Sequence, residues 1–196
     1  LFLTARDGQG LQGVLPLVRM PRLGPGHVLI SMPFLNYGGP LGTDDAREAL
    51  LERALREARD MGARKLEIRN RGSAGSEVLA PGREKSKLVL PLPEDPQVLF
   101  KDTFKAKLRS QVRKPMRDGL YVKLGGQELL DTFYAVFAEN MRDLGSPVHS
   151  KAWIRAILKH YDSRAICGVV YLPDGSPAAC GIILCHTRTV SIPWAS

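Results

Sequence analysis

The closing part of the chain constrains the fold most, because it alternates apolar runs with short turns. Apolar and β-branched residues are concentrated in three runs, at residues 165–172, 177–186 and 189–196. The turn "PDGS" and a short "TR" link separate these runs. Such runs, bounded by turn residues, predict three strands joined as a meander. Two amphipathic helical patterns precede them, at residues 127–145 and 150–161. Strands that alternate with helices predict a mixed α/β unit.

The first half of the sequence repeats this mixture of strands and helix. One helix is predicted from a cap at Thr43 or Asp44 to Gly62, with Leu50, Leu51 and Ala54 on its apolar face. Strands are predicted at residues 1–6, 11–20, 27–32, 65–70 and 87–92. We therefore expect a second mixed α/β unit in this half.

The stretch "FKDTFKAKLRSQVRKPMRDG" carries most of the excess positive charge. Seven lysines and arginines and one aspartate lie between residues 101 and 117, whereas the whole chain has a net charge of +8. The pattern predicts one basic helix over 100–117 that breaks near Pro115 and ends at Gly119. Beside the cations lies a row that we expect to pack on the core, namely Phe100, Phe104, Leu108 and Val112. A strand is predicted at 120–125.

Like charges four residues apart repel one another, so a run of cations with few acids among them favours an anionic ligand. A solvated helix face is the alternative. Nucleic-acid binding would also need exposed aromatic side chains for stacking, and Phe100 and Phe104 fall on the apolar row. We expect the helix to hold an anionic donor or acceptor, and duplex binding is the weaker hypothesis.

The three cysteines, Cys167, Cys180 and Cys185, lie in apolar runs without the spacing of a zinc site. They predict buried thiols in a reducing cytoplasm, with no metal. The first residues lack the pattern of a secretory signal, and no run of 18 apolar residues predicts a membrane span. Both ends of the chain resemble interrupted strands, so we interpret it as a fragment.

Three stretches resemble FemAB-like proteins. "KLRSQVRKPMRDGLYVKLGG" is similar to the segment between the two halves of such proteins. "FYAVFAENMRDLGSPVHSKAWIRAIL" resembles their helix pair, and "GVVYLPDGSPAACGIILCHTRTVSIPWAS" resembles the meander that follows it. The resemblance is closest to the FemAB-related group associated with exosortase/PEP-CTERM systems, which carries a BioF2-like acetyltransferase domain.

The resemblance implies a GNAT-like acyl-CoA N-acyltransferase fold of class α/β. It implies a first GNAT-like domain over 1–99, incomplete at its start, and a basic bridging helix over 100–117. The opening half of a second such domain would occupy 118–196. A fragment that stops before the donor turn is expected to lack activity by itself.

The implied function is acyl or aminoacyl transfer to an amine of a cell-envelope or exopolysaccharide precursor in the cytoplasm. No cofactor is expected to stay bound, and acyl-CoA or aminoacyl-tRNA would be the donor substrate. A nucleotide-linked precursor or another anionic small molecule would be the partner. The alternatives are a catalytically silent GNAT-like scaffold module and, less favoured, a basic nucleic-acid-binding domain.

Candidate site residues fall in three places, and no catalytic residue is predicted. The anion-binding candidates on the basic helix are Lys105, Arg109, Arg113 and Lys114. The loop between a predicted strand and a helix offers donor contacts at Asn36, Tyr37, Gly38 and Gly39, with a plain tight turn as the alternative. It lacks a basic residue, and Asp44 and Asp45 at the helix start would repel phosphate.

Arg142 and His149 are the remaining anion-binding candidates. The family resemblance suggests Arg142 as an acceptor contact, although the end of a helix favours a cation in any case. His149 precedes the predicted helix cap Ser150, and a simply exposed loop histidine is its alternative.

Overall fold

The strands that can be described form three separate sheets in a computed structural model that covers residues 1–22, 24–70, 79–80, 82 and 88–196. The chain divides into two compact units, Leu1–Leu88 and Val89–Ser196. The whole basic segment falls in the second unit. The assignment of two GNAT-like domains over 1–99 and 118–196, joined by a bridging helix, stays a prediction.

The first unit packs one long helix on a small sheet. Its elements are β1 (Phe2–Asp7), β2 (Gly10–Pro16), β3 (Val18–Pro21), β4 (His27–Ile30), β5 (Leu41–Gly42), α1 (Asp44–Asp60) and β6 (Lys65–Glu67). One sheet has the order β1-β2-β5 and the other β3-β4-β6, in which β4 and β6 run parallel. Leu50 and Ala54 of α1 join Leu3 and Leu15 of the first sheet in one buried cluster.

Local sequence accounts for the bounds of α1. The Thr43 side chain accepts a hydrogen bond from the Ala46 amide, which caps the first turn. Asp44 and Asp45 occupy that turn, where acids are favourable. Gly62 follows the last turn at a φ of 64°, a conformation that favours glycine. The predicted cap and end of this helix are therefore confirmed.

The second unit places two helices on an antiparallel sheet. Its elements are α2 (Pro96–Val98), α3 (Ala106–Arg117), β7 (Tyr121–Gly125), α4 (Leu130–Asp143), α5 (Lys151–Tyr161), β8 (Ala165–Tyr171), β9 (Pro177–His186) and β10 (Thr189–Ala195). The sheet order is β10-β9-β8-β7. Phe133 and Ile154 of the helices are completely buried, as are Val169 and Ile182 of the sheet. The predicted meander and helix pair are confirmed.

Two strand predictions need correction. Residues 11–20 form two strands in different sheets, because the chain passes from one sheet to the other at the buried Leu17. Residues 88–92 of the strand predicted at 87–92 form no strand, and residue 87 lies outside the described part. Pro91 and Pro93 cannot donate to a strand ladder, and Leu88 is almost fully exposed.

The prediction that Pro115 breaks the basic helix is wrong. Proline lacks an amide donor and its ring crowds the carbonyl four residues earlier, yet α3 continues through Pro115, which lies two residues before its end at Arg117. The Asp118 amide donates to Lys114 O at 2.9 Å and the Leu120 amide to Pro115 O at 3.0 Å, which closes the last turn. Gly119 follows at a φ of 84° and ends the helix as predicted.

The thiols of Cys167 and Cys180 are buried, as predicted, whereas Cys185 is half-buried. Burial raises the pKa of the Cys167 thiol to about 12 and also raises that of Cys180. Both thiols are therefore protonated at neutral pH and are poor nucleophiles.

Candidate functional site

The basic segment does not form one continuous helix, and this corrects the prediction for 100–117. Leu99–Thr103 forms a single π-helical turn, and Phe104 and Lys105 are extended before α3 begins at Ala106. Lys101 therefore lies outside α3, and the row of cations spaced four apart is interrupted between Lys101 and Arg109. The predicted Lys105 is the exposed N-cap residue of α3.

Arg109 holds the bend between the π turn and α3. Its Nη1 donates to the carbonyl oxygen of Phe104 at 2.6 Å and to that of Lys101 at 2.9 Å. These carbonyls lie at the end of a turn, where backbone acceptors lack helical partners. Arg109 therefore has a structural role in addition to any ligand that it binds.

The aromatic pair of the segment lies on the charged side of α3. The Arg113 guanidinium carbon is 5.0 Å from the centre of the Phe100 ring, a cation–π arrangement. Phe100 in turn meets Phe104 edge to face at 6.1 Å between ring centres. Phe100 and Phe104 thus do not continue the helical row of Leu108 and Val112, because Phe104 and Lys105 are extended and interrupt the helix.

Lys114 pairs with Asp118, four residues further on. The Lys114 hydrogen bond lowers the pKa of the Asp118 carboxyl group, which keeps the carboxylate charged at neutral pH. This pair neutralises part of the charge at the end of α3. The side chain of Arg117 forms no hydrogen bond or ion pair with any residue in the part of the chain that the structure describes, although its charge also lowers the pKa of Asp118.

Four cations line one open depression of about 340 Å³ on α3, and we call them the cationic face. They are Arg109, Arg113, Lys114 and Arg117, and Ala106 and Ser110 complete the lining. The structure thus brings together three of the predicted anion-binding residues. Arg117, the last cation of the predicted basic stretch, lines the depression as well.

A second stripe on α3 is apolar and exposed. Leu108, Val112 and Met116 are spaced four apart, and their side chains are 41%, 39% and 71% exposed. None of the twelve residues of α3, all of which are described, is buried. The prediction that this row packs on the core is therefore wrong, and half-burial in the row is limited to Phe100 and Phe104.

The predicted donor loop is held by an arginine that the sequence reasoning missed. The amides of Gly38 and Gly39 both donate to the carbonyl oxygen of Arg69, at 2.9 and 3.0 Å. The Arg69 side chain donates to Leu35 O at 2.7 Å and to Glu67 Oε1 at 2.9 Å. A hydrogen bond from Lys65, reinforced by Arg69, lowers the pKa of Glu67.

These contacts limit how the loop can meet a ligand. The two glycine amides are already used, so they do not form an anion nest like those of phosphate-binding loops. Asn36 and Tyr37 are exposed. Met32 and Phe34, at the start of the loop, have φ values of 47° and 70°, a region that side chains other than glycine rarely adopt. The loop therefore offers a ligand its side chains, and not the amides of Gly38 and Gly39, as contacts.

Arg142 and His149 lie apart from the residues that line the depression. Arg142 is exposed at the end of α4 and bonds to Asp143 and Glu139, and these carboxylates raise the pKa of its guanidinium. His149 packs 4.9 Å from Trp153 and 6.4 Å from Trp194, measured between ring centres. Burial lowers the pKa of His149, so its imidazole is neutral at pH 7 and offers an anion no charge.

Two kinds of feature are absent from the described residues. They contain no group of three or more His, Cys, Asp or Glu side chains that could hold a metal ion. No helix among them is long and apolar enough to cross a bilayer.

The fold is a mixed α/β arrangement that also occurs in two solved structures. The structure of L-PGS from Bacillus licheniformis is similar over 97% of this chain and 58% of its own, with 14% identity and a TM-score of 0.51. The C-terminal domain (DUF2156) of a putative lysylphosphatidylglycerol synthetase from Agrobacterium fabrum is similar over 99% and 60%, with 14% identity and a TM-score of 0.49.

The chain thus spans about three-fifths of the length of these structures. No model of a protein family matches the sequence, and no curated protein matches it. The likeness concerns the fold, and the more specific GNAT and FemAB-like assignments stay predictions.

Proposed function

We propose that this chain is part of an acyl or aminoacyl transferase that modifies an amine of an anionic cell-envelope or exopolysaccharide precursor. The observation that carries the proposal is the likeness of nearly the whole chain to the structure of L-PGS. A lysylphosphatidylglycerol synthetase joins an aminoacyl group to a phosphate-bearing lipid, so its fold accommodates an activated acyl donor and an anionic acceptor.

The chemistry requires few protein groups. The amine nitrogen attacks the carbonyl carbon of the bound acyl group, which forms a C–N bond. The C–S bond of an acyl-CoA, or the ester C–O bond of an aminoacyl-tRNA, then breaks. The leaving sulfur or oxygen takes up the proton that the amine loses. Such a reaction gains most from positioning and from donors aimed at the developing oxyanion.

The cationic face is our candidate for the phosphate contact. Arg113 and Arg117 are exposed on adjacent turns of α3, and arginine can bind two phosphate oxygens at once. Lys105 and Lys114 are at either end of the helix. Arg109 contributes charge, although its hydrogen bonds to Lys101 and Phe104 fix its orientation.

The other predicted residues take secondary parts in this proposal. Asn36 and Tyr37 contact the donor through their side chains, since the amides of Gly38 and Gly39 bind Arg69. His149, with its lowered pKa, suits a neutral hydrogen-bonding role better than charge pairing. Acyl-CoA and aminoacyl-tRNA are both candidate donors. The protein would use them in the cytoplasm.

A transfer assay with the protein expressed from its complete gene tests the proposal. Purified protein is incubated with acyl-CoA or charged tRNA and a panel of amine-bearing, nucleotide-linked precursors, and the products are weighed by mass spectrometry. We expect one donor class to add its acyl mass to a precursor. The variant Arg113→Gln/Arg117→Gln should raise the KM for the precursor more than it lowers kcat, because it removes binding contacts.

The matched control for that variant is Arg155→Gln/Lys159→Gln, which removes the same charge from exposed positions of α5. No mass gain with any donor, despite retained binding of the precursors, would contradict the proposal.

The second candidate function is a binding module without catalytic activity. One observation favours it: the residues that line the cationic depression include no carboxylate or imidazole that could accept a proton.

A further inference from the structure

Helix α3 carries two parallel stripes on adjoining sides. Leu108, Val112 and Met116 form the apolar stripe, and each is followed by an arginine, at positions 109, 113 and 117. Residues four apart lie above one another on a helix, and a step of one residue rotates by about 100°. The arginine stripe therefore borders the apolar stripe along its whole length. Lys107 lies on the other border.

The apolar stripe is exposed to solvent. Met116 is 71% exposed, and Leu108 and Val112 are about two-fifths exposed. An amphipathic helix in a soluble core normally buries its apolar side. A helix that instead exposes an apolar stripe between cations has the composition of one that lies in a membrane interface.

We infer that α3 is a docking surface for an anionic phospholipid bilayer, with Leu108, Val112 and Met116 inserted among the lipids and the flanking cations on the headgroup phosphates. The inference deepens the proposed function and rests on it for one point, that the cationic face meets a phosphate-bearing ligand. It adds that the same cations also meet the headgroup phosphates of a lipid surface.

Charge and geometry favour this occupant. Five cations and no acid lie within α3, and an anionic surface attracts each lysine or arginine near it. Arginine side chains reach from the border of an apolar stripe towards the headgroups while their methylenes stay among apolar groups. Twelve residues span about 18 Å, so the helix is suited to lying along a surface. A soluble phosphate ligand would leave the apolar stripe in water.

Vesicle flotation of the intact protein tests the inference. The probes are vesicles of phosphatidylcholine alone and vesicles of equal parts phosphatidylcholine and phosphatidylglycerol. We expect binding to the anionic vesicles only, with an affinity that falls as salt is added. Arg113→Gln/Arg117→Gln should weaken it by about 25-fold, since each cation near such a surface contributes about fivefold.

The apolar variants separate a lipid surface from a soluble anion. Leu108→Ser/Met116→Ser should weaken vesicle binding by about tenfold or more, because it removes the inserted apolar area. The same variant should bind glycerol phosphate like wild type. Leu144→Ser is the control, since Leu144 is 67% exposed on another helix end and should have no effect.

Each remaining outcome overturns the inference. One is equal binding of wild type and Leu108→Ser/Met116→Ser to anionic vesicles. Another is that the protein binds no vesicles but binds RNA tightly and in a salt-sensitive way, and that Leu108→Ser/Met116→Ser binds the RNA equally well. That result would make α3 a nucleic-acid surface. Transfer to a precursor free in solution is measured without vesicles, so failure of the docking inference remains distinct from failure of the proposed function.

Discussion

The guanidinium group of Arg109 donates to the carbonyl oxygen of Phe104, five residues before it, at 2.6 Å. A second bond, to Lys101 at 2.9 Å, joins the same group to the preceding π turn. These two bonds fix the angle at which the chain enters α3. Arg109, which lies in the middle of the basic run, thus also determines the conformation of that run.

Replacing Arg109 by Gln should destabilise the second unit. A hydrogen bond to a charged group contributes about 1.5–3 kcal/mol, and we expect about 1 kcal/mol here because the group is only half-buried. Urea unfolding followed by circular dichroism measures the loss. Arg117→Gln is the control and should change the free energy of unfolding by less than about 0.5 kcal/mol. Equal stabilities of the two variants would contradict the structural role of Arg109.

Gly38 is required by close packing in the donor loop. A Cβ at this position would overlap the Cβ of Met32 and would lie 2.9 Å from the carbonyl oxygen of Ser31. Gly38→Ala should therefore cost about 1–3 kcal/mol of stability, the usual range for overpacking. Gly8→Ala is the matched control, since nothing lies within 4 Å of its added Cβ. A thermal melt of Gly38→Ala that coincides with wild type would show that the loop is not packed as described.

The raised pKa of Cys167 makes stability fall at alkaline pH. Its thiol titrates near pH 9.0 when unperturbed and near 12 in the folded protein. Between these values the unfolded chain has lost a proton that the folded chain keeps, so its contribution to stability is present below pH 9 and is lost as the pH rises towards 12. We expect the unfolding free energy of wild type to decline more steeply over this range than that of Cys167→Ala.

The control for this titration is Cys185→Ala, because Cys185 is only half-buried. Its unfolding free energy should follow the wild-type pH dependence. The comparison is made between slopes, because the rest of the chain is the same in all three proteins. Parallel slopes for wild type and Cys167→Ala would contradict the assignment.

The sequence predicted most of the fold where local signals and burial agree. Helix α1 has its cap at Thr43, its apolar spacing and Gly62 at its end, and the structure confirms all three. The three closing strands were predictable because turn residues bound them and because their alternate residues, such as Val169 and Ile182, are buried. Strand β5 was not predicted, since two residues carry no periodic signal.

The basic segment shows why local spacing was insufficient. Helical periodicity continues from Lys101 to Arg117, but contacts of Arg109 and of the Phe100–Phe104 pair bend the chain before Ala106. Such contacts join particular side chains and carbonyl groups one or two turns apart and leave no periodic mark in the sequence. The role of Arg69 in holding the loop at Gly38 and Gly39 also could not be predicted, because the two regions are about thirty residues apart in sequence.

The central claim is that the cationic face of α3 binds the phosphate of the ligand. Its most direct test is isothermal titration of a nucleotide-linked, amine-bearing precursor against wild type, Arg113→Gln/Arg117→Gln and Arg155→Gln/Lys159→Gln at low salt. Charge-assisted hydrogen bonds contribute about 1.5–3 kcal/mol each, so we expect Arg113→Gln/Arg117→Gln to lose at least tenfold in its affinity for the precursor. The α5 variant should bind like wild type. Equal affinities for all three proteins would contradict the claim that the cationic face binds the phosphate of the precursor.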